Sequence, residues 1–187
     1  MPVVSNSSPL IGLEQIGQLD LLRSLFGEIF IPDAVATEVS TTVRLRSWIR
    51  TRSLLHPLLA ETQTPALGVG EREAICLAVE MQASAIILDD EPARKTANKL
   101  NLPVIGTAGV LVLAKERQLI GSVRACLDAL VDHRFYLSRS LYELILSRVG
   151  ELKDNEQWSS LVLLSGLRDA DFPGVWGRLA SCGLYRV

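Results

Sequence analysis

Apolar residues over most of the chain fall into two patterns. Short runs rich in β-branched residues alternate with longer stretches in which apolar positions recur every three or four residues. Val3-Val4 begins the first run, and EIFI at 28–31 is the second, stopped by Pro32. SAIIL at 84–88 and LPVIG at 102–106 are the third and fourth. Runs of this length and composition predict buried strands of a parallel sheet. Between them the pattern predicts helices. Two short pieces lie around Leu10–Ile16 and Leu19–Phe26, punctuated by Gly17 and Gly27. PDAVATEVS starts at Pro32, EREAICLAVEM follows Gly68 and Gly70, and PARKTANKL occupies 92–100. TAGVLVLAKERQ at 107–118 comes next, with further helices near 122–133 and 138–149. Ser8 is the expected cap of the first helix, with Pro9 at its first position, where a missing N–H costs nothing. Residues 43–64 have no clear period and are expected to be irregular or loosely helical, with Pro57 and Pro65 as breakers.

Strands alternating with helices predict an α/β fold, a short central parallel sheet covered on both faces in three α/β/α layers. In such sheets ligands bind beyond the carboxyl ends of the strands. The residues placed there are Asn6-Ser7-Ser8, Asp89-Asp90-Glu91 and Gly106-Thr107. All three sets are polar, and all are expected to open onto one edge.

Composition narrows the function classes. The 187 residues fit one compact domain with an appendage, and 48% hydrophobic content with 21% charged excludes a disordered chain. A net charge of −2 gives no global attraction for nucleic acid, so any such site has to be local. Cys76, Cys126 and Cys182 are scattered and form no CxxC, and His56 and His133 have no partner at metal-ligand spacing. No basic-then-apolar leader opens the chain. No uncharged apolar run reaches the roughly 18 residues of a membrane span. A cytoplasmic protein with reduced thiols is expected.

The acids carry the candidate chemistry. Asp89-Asp90-Glu91 packs three carboxylates at a strand end. Helix N-terminal chemistry accounts for them, since acids favour the first turn and Pro92 marks it. A divalent cation accounts for them equally, because adjacent carboxylates repel and hard cations take oxygen ligands. Glu71 shares a helix face with Ala74, Ile75 and Ala78, so it is either an acid on a buried face in need of a partner or a first-turn acid open to solvent. Glu73 points instead toward Glu80, as ordinary helix surface. Glu38 lies near the end of its helix, where an acid opposes the macrodipole, so it is either simply solvated or favoured by something else. Arg94, Lys95, Lys99 and Arg72 are solvated surface or phosphate contacts at the edge of the acids. Thr107 is a plain cap or a phosphate ligand. Gly68-x-Gly70 is too short for a phosphate-binding fingerprint, and the absence of any glycine-rich phosphate loop argues against a nucleotide-binding protein.

Three segments in this order resemble a known family. VVSNSSPLIGLEQIGQLDLLRSLFGEIFIPDAVATEV, GEREAICLAVE and AIILDDEPARKTANKLNLPVIGTAGVLVLAK are similar to the PIN-domain nucleases, and more closely to the prokaryotic branch with SxTSPLI-type openings related to VapC toxins. The resemblance covers about residues 3–150. It implies a PIN-like fold and a cluster of acids that binds one or two Mg²⁺ or Mn²⁺ ions for ribonuclease chemistry. By motif, the first acid falls on Asn6, the second on Glu38, the third on Glu71 and the last on Asp90, with Asp89 as its neighbour. All four are implied as catalytic and metal-binding. Ser7, Ser8, Thr107 and Arg94 are implied at the substrate. The resemblance further implies an RNA substrate, a small antitoxin partner and a homodimer. Asn6 departs from the pattern: an amide oxygen still ligates a hard cation but brings no charge. This implies reduced activity, or a PIN domain that binds RNA or protein without cutting. The nuclease-like domain is expected over 1–150, with a C-terminal extension of unknown role over 151–187. Within the extension, Trp158 and LVLLSGL suggest one more apolar helix.

Overall fold

The computed structural model describes residues 1–152. The expected helix around Trp158 and the role of the C-terminal extension lie outside the described residues.

Five strands form one parallel sheet: β1 (Val3–Ser5), β2 (Ile29–Ile31), β3 (Ile49–Thr51), β4 (Ala85–Ile87) and β5 (Val104–Ile105), in the order β3-β2-β1-β4-β5. Side chains alternate across it. Val3, Ile29, Ile31, Ile49, Ala85, Ile87 and Ile105 enter one core. Val4, Ile86 and Val104 enter the other, with Phe30 packed against it. The first core is covered by helices α1 (Ser7–Gln15), α2 (Asp20–Phe26), α3 (Asp33–Val39), α6 (Thr107–Glu116), α7 (Val123–Asp132) and α8 (Arg139–Arg148). The second is covered by α4 (Val69–Glu80) and α5 (Glu91–Lys99). This is the three-layer α/β/α arrangement, and the period-two alternation makes it two-sided.

Three local expectations are corrected. Residues 43–64 are largely irregular, as expected, but they also hold a strand, β3, and a 3₁₀ turn at Ala60–Thr62. Helix α1 starts at Ser7 with Asn6 at its cap position, so Ser8 does not cap it and Pro9 is its third residue. Pro9 fits there because the first four N–H groups of a helix have no internal partner in any case. Glu73 is not idle surface, because its Oε2 accepts the Ala34 N–H at 3.0 Å and caps the first turn of α3.

The last described turn is tied down by Glu151. Its carboxylate accepts from Ser122 Oγ at 2.8 Å and from the Val123 and Arg124 N–H groups at 3.0 and 2.8 Å, and it pairs with Lys115 Nζ at 3.0 Å. It thereby caps α7 from outside and fastens it to α6.

Candidate functional site

All five strands run the same way, so their carboxyl ends share one edge. Asn6 stands there directly after β1. Its N–H continues the ladder to Ile87 O at 3.3 Å, and its carbonyl accepts from Ser5 Oγ at 3.0 Å. The side chain makes no cap bond to α1. The residue is 1% exposed, and its Oδ1 is a buried acceptor with no donor. Buried acceptors are nearly always paired, so an orphan of this kind needs a cause.

Each acid implicated by sequence lies at a helix N-terminus. Asp90 is the N-cap of α5 and accepts the Ala93 N–H at 3.3 Å. Glu71, half-buried in the first turn of α4, turns back to accept the Gly68 N–H at 2.8 Å. Glu38, exposed near the end of α3, places Oε1 3.2 Å from the Gly70 N–H, also in the first turn of α4. The positive end of α4 therefore offsets the unfavourable end of α3 for Glu38. Burial raises the Glu71 carboxyl above its ordinary value; the Gly68 N–H opposes this, and the charges of Asp90 and Glu38 push it further up. Glu71 is thus close enough to Asp90 and to Glu38 to feel both charges. Among the described residues, however, no three His, Cys, Asp or Glu side chains stand as a ready-made cation cage. Each acid instead rests on a helix N–H.

Asp89 is drawn away from this group. Its Oδ1 accepts the Thr107 N–H at 2.7 Å and its Oδ2 the Thr107 hydroxyl at 2.6 Å. Burial raises its carboxyl, against the Thr107 bonds and the Arg94 charge, which pull it down. The two neighbouring acids are thereby separated in role: Asp89 ties β4 to α6, and Asp90 faces Glu71. Thr107 is fully buried with its hydroxyl donated to Asp89, so it is not a free phosphate ligand. This role was within reach of the sequence, because Asp89 and Thr107 follow adjacent strands.

The remaining polar residues divide. Ser7 is half-buried and Ser8 exposed in the first turn of α1. Arg94, half-buried, sits beside Asp89 and Gly106, where a methyl on Gly106 would come 2.8 Å from Arg94 Nη1. Arg72 holds the carbonyls of Leu67 and Thr64 at 3.0 and 2.9 Å, which makes it an anchor for the loop before α4. Lys95 pairs with Glu91 at 2.6 Å on an exposed face. A groove of about 390 Å³ lies between α7 and α8, lined by Asp128, Val131, Asp132, Leu137, Arg139 and Tyr142. These helices pack on the sheet face opposite α4 and α5, and the groove receives none of the acids.

A family model described as a PIN domain matches residues 2–151. The chain belongs to the PIN-domain family. The fold is therefore that of a nuclease-type domain. No curated protein and no solved structure matches the chain. Among the described residues no helix is long and apolar enough to cross a membrane.

The donor set suits a hard divalent cation. It offers three carboxylates and one amide oxygen, all oxygen donors, and PIN-domain nucleases generally use divalent metals. Asn6 Oδ1 has the free valence that a ligand would satisfy.

Proposed function

We propose that the protein is a metal-dependent ribonuclease of the VapC type, the toxin of a toxin–antitoxin pair. Glu71 and Asp90 are its principal Mg²⁺ or Mn²⁺ ligands, with Glu38 and Asn6 completing the shell. The observation that carries this reading is the buried, unpartnered Oδ1 of Asn6 at the carboxyl edge of the sheet, where Glu71 feels the charges of Asp90 and Glu38. When bound, the cation lowers the pKa of a water and offsets charge on the attacking and leaving phosphate oxygens. The chain supplies the rest. The N-termini of α1, α4 and α5 point toward this edge, which offsets the carboxylate charge and favours a phosphate. Ser7, Ser8 and Arg94 flank the edge and take phosphate oxygens. Thr107 acts through Asp89, holding the turn that presents Asp90. With Asn6 neutral, the set carries three formal charges instead of four, so it holds one ion firmly and a second weakly.

By resemblance, a small antitoxin occludes the acidic edge and two copies pair in a homodimer. Asn6 also favours a second reading, a PIN domain that binds RNA or a protein partner without cutting it. RNA cleavage in Mn²⁺ separates the two. On the first reading the wild type cuts, Asp90→Asn loses cleavage and Asn6→Asp gains it. If neither variant differs from wild type, the assignment of these residues is wrong. RNA bound but left uncut by the wild type favours the second reading.

A further inference from the structure

Gly70 occupies a helical position that does not call for glycine. It lies in the first turn of α4, and its φ is not among the positive values that favour glycine, which occur at Gly17, Gly27 and Gly150. Glycine is a poor helix former, so its presence needs another cause. Space supplies one. A methyl on Gly70 would lie 2.6 Å from both carboxylate oxygens of Glu38 and 2.9 Å from the carboxyl carbon. The volume a side chain would fill is taken by the Glu38 carboxylate, which reaches the Gly70 N–H at 3.2 Å.

The contact is half of a reciprocal pair. Glu73 of α4 caps Ala34 at the start of α3, at 3.0 Å, while Glu38 near the end of α3 caps Gly70 at the start of α4. The two helices lie antiparallel, each first turn closed by the other's carboxylate. The Glu38 end of the pair sits one residue from Glu71, and the Glu38 charge is felt there. The Glu73 end lies a turn further along α4.

We propose that Gly70 is a positioning residue for the acidic site: by lacking a side chain it admits Glu38 onto the first turn of α4 and delivers that carboxylate beside Glu71. This role rests on the metal-site reading of Glu38. The atoms in the way are the far end of a flexible side chain, so an added methyl expels the carboxylate and leaves the helix intact.

The test uses the full chain and the variants Gly70→Ala, Glu38→Ala, their double and Glu73→Gln. The amide of residue 70 is followed by hydrogen exchange without metal, and Mn²⁺ binding by calorimetry. The residue-70 amide loses protection in Gly70→Ala and in Glu38→Ala but keeps it in Glu73→Gln. Both single variants weaken Mn²⁺ binding by at least about tenfold, the scale of a disturbed metal shell. Adding Gly70→Ala to Glu38→Ala weakens it no further. The role of Gly70 is overturned if Gly70→Ala keeps the amide protected, if it binds Mn²⁺ as tightly as wild type while Glu38→Ala does not, or if its effect persists undiminished on Glu38→Ala. If the amide loses protection while neither variant changes Mn²⁺ affinity, the metal reading of Glu38 is what fails, and the assigned role of Gly70 fails with it.

Discussion

Replacing Glu151 by Gln keeps the shape of the side chain and removes its charge. Four donors converge on that carboxylate: Ser122 Oγ, the Val123 and Arg124 N–H groups, and Lys115 Nζ, all between 2.8 and 3.0 Å. Burial pushes its carboxyl up, but the N–H groups of Arg124 and Val123, the Ser122 hydroxyl and Lys115 outweigh that and hold it at about 2 rather than 4.5. Discounted for solvent screening, the gap corresponds to about 1–2 kcal/mol of folding stability at neutral pH. Because the folded value is the lower one, this stability is complete above about pH 4.5 and is lost as pH falls toward 2. Glu151→Gln is therefore expected to cost about 1–2 kcal/mol at pH 7, since the amide oxygen still accepts from some of the donors. For a chain of this size that lowers Tm by roughly 2–8 °C. Urea unfolding at pH 7 and at pH 2.5 measures both quantities. The difference between wild type and variant should shrink sharply at the lower pH. A variant within 0.5 kcal/mol of wild type at pH 7, or a difference that does not change with pH, would refute the reasoning.

Other consequences follow from the same edge of the sheet. Asn6→Asp places a charge where Oδ1 is buried and unpartnered, so the metal-free protein should lose about 3 kcal/mol and recover it on adding Mn²⁺, read as paired melting curves. Thr107→Val removes the hydroxyl bonded to Asp89 and leaves a half-buried carboxylate short of a donor, costing about 1–3 kcal/mol in urea unfolding. If instead that variant is as stable as wild type and loses only RNA cleavage, Thr107 touches substrate after all. Glu73→Ala uncaps α3 and should cost about 1 kcal/mol while leaving Mn²⁺ affinity unchanged, because its bond to Ala34 lies at the opposite end of α3 from Glu38.

The parts of the fold that were legible in the sequence are those with strong periodicity. IFI and AII lie in interior strands and VI in the edge strand β5, and apolar runs so deeply buried need a sheet covered on both faces. The strand at Ile49–Thr51 was not legible, because only its first residue is buried. Arg50 and Thr51 face solvent at the sheet edge, and Arg50 pairs with Glu28 at 3.1 Å. Edge pairing of that kind is made by backbone bonds to β2, which leave no mark on the side chains. Acids that end a strand or open a helix were legible as candidates, and the resemblance placed the last of them on Asp90 with Asp89 as its neighbour. The two bonds that tie Asp89 to Thr107 were not legible in the local pattern, because the two residues lie 18 apart in sequence. The partners of Glu38 and Glu73 were hidden for the same reason. They lie 32 and 39 residues away in sequence, on a helix pair whose register no local pattern sets.

On the proposed function, Asn6, Glu38, Glu71 and Asp90 together hold a divalent cation. Calorimetric titration of the full chain with Mn²⁺, beside Asp90→Asn, tests it most directly. Saturable binding by the wild type is expected, with at least about a tenfold weaker Kd in the variant. Identical titrations for the two proteins, or no saturable binding in either, would contradict it.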